Sequence, residues 1–159
     1  MIKFLIRFFI VLAFVGLIGS FISCQKQARK RPFGIVKLGK IADLMRPESF
    51  LSDHSLILRY DERGFSAMSL LCTYDLAVLK VKQQGEKQIL VSPYSDSTYN
   101  LDGTILSGPT KFPLPYFELE AAAGEYNDKT RGPVDTLFAK IGKEKPASWR
   151  LAIAPAPAK

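Results

Sequence analysis

Histidine and cysteine are almost missing from this chain: His54 is the single imidazole, and Cys24 and Cys72 are the two thiols. Such a set excludes a metal centre built from four cysteines, from paired cysteines and histidines, or from three histidines. If Cys24 is spent on lipid, as its position below implies, Cys72 has no partner and no intramolecular disulfide forms. The acyl-transfer enzymes lose support for a related reason. No histidine stands near the serine-rich segments, and no Ser-x-x-Lys pattern occurs around their serines, so a nucleophilic serine lacks an activator. A concentrated basic patch interleaved with aromatics is also missing. The pI of about 9.5 therefore does not argue for nucleic acid, because the cations outside one short cluster are spread along the chain. There is no internal repeat.

What is present begins with an apolar N-terminus. Met1–Arg7 carries Lys3 and Arg7, and an apolar run from Phe8 to Ile22, broken by small residues such as Ser20, stops at Ser23-Cys24. A membrane span needs roughly 20 apolar residues, whereas a signal-peptide core has about 7 to 15, and the shorter reading fits. Phe21-Ile-Ser-Cys24 looks like a bacterial lipobox, with Phe21 where Leu is expected and Cys24 as the residue to be acylated. An uncleaved helical anchor is the alternative. Lys26, Arg29, Lys30 and Arg31 outnumber the cations before the run, which opposes export under the positive-inside rule. Without residues 1–23, 20 basic residues stand against 15 acidic ones. The cluster beside the anchor suits anionic lipid head groups, each cation contributing about 1 kcal/mol. The expected organisation is a signal peptide or anchor over 1–23, a basic tether over 24–33, a domain over 34–120 and a C-terminal extension over 121–159. The protein is expected to be exported and membrane-anchored, on the periplasmic side of a bacterial membrane or at the cell surface.

With 47% apolar residues, the remainder suits one globular domain. Its signals are those of short strands: Ile35–Leu38, Ser55–Tyr60, Phe65–Cys72, Val78–Lys82 and Gln88–Val91, separated by turn material such as Asp61-Glu-Arg-Gly64 and Gln83-Gln-Gly-Glu-Lys87. Asp102-Gly103, between Tyr99-Asn-Leu101 and Thr104-Ile-Leu106, is the strongest hairpin signal. A short helix is expected around Ile41–Met45, ending at Arg46-Pro47. A second is expected over Gly132–Gly142, with apolar residues at Val134, Leu137, Phe138 and Ile141, Pro133 near its start and Gly142 after its end. Ala121–Arg131 reads as a loop and Ala154–Lys159 as a low-complexity tail. The pattern argues for an all-β fold, a small barrel or sandwich of stacked antiparallel sheets with a peripheral C-terminal helix.

Three stretches carry the candidate chemistry: Cys72-Thr-Tyr-Asp-Leu-Ala77, Ser92-Pro-Tyr-Ser-Asp-Ser97, and Ser107-Gly-Pro-Thr-Lys-Phe-Pro-Leu-Pro-Tyr116. Their order resembles the Rieske iron–sulfur domain. That family's pattern is Cys-Thr-His-x-Gly-Cys, then Cys-Pro-x-His-Gly-Ser with an aromatic, an Asp-Gly turn, and Gly-Pro followed by a proline-bearing loop and a short strand. The resemblance covers about Val36 to Leu119, and Tyr99, Asp102-Gly103, Gly108-Pro109 and Leu114-Pro115 stand at matching offsets. It departs at the ligands. A Rieske centre takes two thiolates on one iron and two imidazoles on the other, and the four matching positions here are Cys72, Tyr74, Ser92 and Ser95. The disulfide of many family members would join the positions of Ala77 and Tyr94.

The resemblance implies a degenerate Rieske-like domain that holds no metal and no cofactor. Tyr74 and Tyr94 are expected to fill the space of the missing cluster, with Ser92, Ser95 and Ser97 bonding loop backbone as serines do in turns. Cys72, flanked by Leu70 and Leu71, is expected to be a buried small hydrophobe, and His54 a loop or surface residue. The family's docking surface lies by the loop that holds Lys111, Phe112 and Tyr116, which makes these the candidate partner contacts. The function implied is that of a non-catalytic accessory or structural subunit of a membrane redox complex of quinone or cytochrome type, bound to its membrane through the Cys24 lipid or an N-terminal helix. The alternatives are an electron carrier with an atypical [2Fe-2S] centre and a lipid-tethered binding module unrelated to electron transfer.

Overall fold

The computed structural model describes residues 33–124 and 133–153. The expected signal peptide or anchor, Cys24, the basic cluster and the Ala/Pro tail lie outside the described residues. Within them the chain runs β1 (Gly34–Lys40), α1 (Ile41–Leu44), β2 (Glu48–Leu51), a 3-10 turn (Ser52–His54), β3 (Leu56–Asp61), β4 (Gly64–Ser69), β5 (Lys80–Gln84), β6 (Lys87–Val91), β7 (Thr98–Asn100), β8 (Ile105–Ser107), β9 (Tyr116–Ala122) and β10 (Thr136–Lys145). The fold is all-β, in two antiparallel sheets of order β1-β10-β9-β4-β3-β2 and β5-β6-β7-β8. No helix among the described residues is long and apolar enough to cross a membrane.

Alternation along the central strands builds two cores. Side chains on successive residues of a strand point to opposite faces. On β3, Leu56 and Leu58 therefore enter one cluster with Phe65, Ala67, Leu119, Leu137 and Ile141. Ile57 enters the other with Met68, Leu70, Cys72, Leu90, Tyr99 and Leu114. Both faces of β4 are covered, and all six of its residues are buried. Each fully buried Leu or Phe contributes about 1.5–3 kcal/mol. The second cluster lies between β3–β4 and the smaller sheet, so it supports the loops leaving β6 and β7. The segment after β10 closes the first cluster: Leu151 exchanges backbone hydrogen bonds with Phe65 at 2.8 and 3.0 Å, and Arg150 Nε donates to Asp61 at 2.7 Å.

The expected C-terminal helix over Gly132–Gly142 is not formed; Thr136–Lys145 is a strand, paired with β1 on one side and β9 on the other. Thr136, Leu137, Phe138 and Ala139 are all buried, as a central strand covered on both faces requires. The spacing of Leu137, Phe138 and Ile141 suits a helix and such a strand equally, and pairing partners distant in sequence decide between them. Gly142 is no helix cap. It lies inside β10 at φ +93°, where the register to β9 shifts between Lys140 and Glu144. The boundary expected at residue 120 falls within β9, and β10 stands beside it in the same sheet.

Candidate functional site

Three loops meet at one end of the smaller sheet. The first, after β4, closes on itself as Cys72 N–H donates to Ala77 O at 2.8 Å and Leu76 N–H to Cys72 O at 3.0 Å. The second, between β6 and β7, closes as Ser92 N–H donates to Ser97 O at 3.0 Å. The third, from Gly108 to Pro115, joins β8 to β9. Gly108 is at φ +100° with its Cα against the backbone of Asp96 and Ser97; any side chain there would collide with the second loop.

A carboxylate joins the first two loops. Asp75 accepts the Ala77 N–H through Oδ1 at 2.9 Å and the Ser92 hydroxyl through Oδ2 at 2.6 Å. Burial pushes this carboxyl up, but the Ser92 hydroxyl and the Ala77 amide outweigh it and hold Asp75 below the usual carboxylate range. Ser92 Oγ also accepts the amides of Tyr94 at 3.2 Å and Ser95 at 3.3 Å. Ser95 Oγ donates to Ser97 Oγ at 3.0 Å and accepts the Ser97 amide at 3.4 Å. The hydroxyls at two of the four ligand-matching positions are thus engaged within their own loop and with Asp75.

A tyrosine joins all three. Tyr99 is fully buried, and its hydroxyl lies 3.5 Å from Cys72 Sγ, accepts the Thr73 amide at 3.2 Å and donates to Thr110 Oγ1 at 2.9 Å. Thr73 Oγ1 and Thr110 Oγ1 lie 2.6 Å apart, and both reach the carbonyl oxygen of Phe112, at 2.8 and 3.2 Å. Burial is the main reason that the Tyr99 phenol is pushed above its ordinary value; the Cys72 contact pushes the same way, against the threonine bonds. A completed network of this kind in a low-dielectric interior stiffens the loops it crosses.

The side chains at the loop tips turn outward. Tyr74 is 60% exposed, Tyr94 73% and Phe112 64%. The expectation that Tyr74 and Tyr94 fill a cluster-sized space is therefore overturned: Cys72, Tyr99 and Thr110 occupy the interior there, and the tyrosines lie on the turns. Of the candidate partner contacts, Lys111 and Phe112 are exposed, whereas Tyr116 is buried at 8% with its hydroxyl donating to Asp102 O at 2.9 Å. Cys72 has no exposed surface.

The donors at the ligand-matching positions are one thiol, one outward-facing phenol and two hydroxyls already bonded. They do not fit a centre of two thiolates and two imidazoles. Among the described residues, no group of three His, Cys, Asp or Glu side chains is arranged to hold a metal ion. Ser92 donates to the Asp75 carboxylate with no imidazole between them, and that carboxylate, held below its usual range, is a weak base for a nucleophile. What the arrangement offers is a rigid platform with three exposed rings. Tyr99, Thr73 and Thr110, which hold the platform together, were legible in the sequence only as a matching aromatic, the threonine of the Cys-Thr pair and one ordinary threonine.

No family model matches the chain, and no curated protein matches it.

Proposed function

We propose that this protein is a membrane-anchored, Rieske-like module without an iron–sulfur cluster, acting as an accessory subunit of a membrane redox complex of quinone or cytochrome type. The observation that carries the reading is the pairing of the two loops through Asp75–Ser92 and Tyr99–Cys72. The stretches that resemble cluster loops approach each other in space, and hydrogen bonds among a carboxylate, hydroxyls and a thiol join them. The three exposed rings of Tyr74, Tyr94 and Phe112, with Lys111 beside Phe112, support a contact role, since aromatic residues anchor protein interfaces. The sequence resemblance alone supplies the link to redox complexes.

Affinity capture of the full chain from detergent-solubilised membranes tests the partner. Recovery of cytochrome or quinone-reactive subunits, lost when Tyr74, Tyr94 and Phe112 are changed to Ser, is the expected result. Recovery of none of them, or recovery that the triple variant leaves intact, contradicts it.

A further inference from the structure

A second feature borders the first loop, with Cys72 and Thr73 in its lining. A cavity of about 260 Å³ lies between the 3-10 turn, the first loop and β10. Its walls are mostly apolar, among them Leu56, Leu71, Leu76 and Phe117. Three irregularities of the backbone meet on it. Ser55 at φ +52° and Leu76 at φ +57° are the two non-glycine residues with positive φ among those described, and both line the cavity. So does Gly142, inside the register shift of β10. A bulky residue such as Leu in the left-handed region is uncommon and costs on the order of 1–3 kcal/mol. Strain and shifts of this kind gather where a site is shaped.

Three of the polar side chains that line the cavity have unused hydrogen-bonding capacity. Ser69 is 95% buried by its 5% exposure; its Oγ accepts the Leu71 amide at 3.1 Å, and its hydroxyl proton has no acceptor among the described residues. His54, the single imidazole, and Glu144 line the cavity too, with no hydrogen-bond partner among the described residues. An apolar chamber with a few convergent polar groups is the usual form of a small-molecule site. Size narrows the ligand. A dry cavity of roughly 150 Å³ accepts benzene, so this one holds a single ring with substituents. Glu144 calls for a donor and Ser69 for an acceptor, and a hydroxyl supplies both.

We propose that this cavity binds a neutral, single-ring aromatic compound bearing a hydroxyl, with the ring against Leu71, Leu76 and Phe117 and the hydroxyl between Ser69, His54 and Glu144. The site does not depend on the redox-subunit reading, and its test is independent of that one.

The probes are p-cresol and toluene, which share the ring and methyl group and differ in the hydroxyl. Equilibrium dialysis against the full chain at fixed detergent concentration gives the free ligand, and amide NMR locates it. Saturable p-cresol shifts at Leu71, Leu76 and Gly142 are expected, with toluene binding about fivefold weaker. His54→Ala and Glu144→Gln, both on partly or fully exposed positions, are each expected to weaken p-cresol severalfold and leave toluene unchanged. No saturable shift at those amides up to the solubility of p-cresol overturns the site. Equal affinity for the two probes, or variants that bind p-cresol as the parent does, overturns the assigned chemistry.

Discussion

The hydroxyl of Tyr99 lies 3.5 Å from the sulfur of Cys72, inside the protein and 27 residues away in sequence. That contact ties the first loop to the strand that follows the second, and through Thr110 at 2.9 Å to the third. One phenol therefore sets the relative position of all three loops.

Removing it isolates several buried groups together. Tyr99→Phe leaves the Thr73 amide without its partner and Cys72 without its contact, and an unsatisfied buried polar group costs about 1–3 kcal/mol. Denaturant unfolding is expected to show a loss of this size, with faster amide hydrogen exchange at Thr73 and Thr110. In spectrophotometric titration the variant is expected to lack one phenol that ionises above pH 10. A raised folded-state value means that the phenol's stability contribution is complete below its ordinary value and is lost as pH rises past it.

Acid stability is governed by carboxylates of the opposite sign. Glu118 is held down to about 2, first by Lys145 and then by Lys140, at 2.9 and 3.0 Å, and Asp75 is also depressed. For depressed carboxyls the contribution is complete above the unfolded value, 4.5 for Glu118, and is lost as pH falls toward the folded one. Glu118→Gln is expected to flatten the stability profile between about pH 4.5 and 2, measured by thermal unfolding across that range. Asp75→Asn is expected to flatten it too, and to free the Ser92 hydroxyl as well.

At Gly108 a methyl group has no room. Gly108→Ala places a Cβ against the backbone of Asp96 and Ser97 at a φ of +100°, so the second and third loops must separate. A loss of at least 1–3 kcal/mol is the expected order of magnitude. Gly85→Ala, also at positive φ but with no atom near its Cβ, serves as the control and is expected to cost less.

The platform's rings should be removable without harm to the fold. Tyr74→Ser, Tyr94→Ser and Phe112→Ser change exposed positions, and each is expected to alter stability by about 0.5 kcal/mol or less. Cys72, in contrast, is expected to resist alkylation in the native protein and to react on unfolding, read by mass-mapped labelling.

How much of this was legible in the sequence follows from how local each signal is. Asp102-Gly103 marked its hairpin because the turn needs positive φ, and Gly103 is at +85°. Ile41–Leu44 formed the expected short helix before Pro47, and the strand signals of β3 to β6 rest on alternation and turn residues beside them. β10 was misread because Leu137, Phe138 and Ile141 fit two periods, and its neighbours β1 and β9 begin about 100 and 20 residues earlier. The resemblance implied Tyr74 and Tyr94 in place of small or ligating residues, but not which way they face; the interior is filled by Tyr99 and Cys72. The cavity was invisible for a stronger reason. His54, Ser69, Leu76 and Glu144 come from four separate segments, and none carries a local motif.

The central claim is that a Rieske-like frame stands here without its cluster. Iron analysis with optical and paramagnetic spectra, on the full chain produced where iron–sulfur assembly is active, tests it most directly. A folded, colourless protein without stoichiometric iron and without a paramagnetic signal after reduction is expected. About two irons per chain with a visible spectrum and such a signal would contradict it.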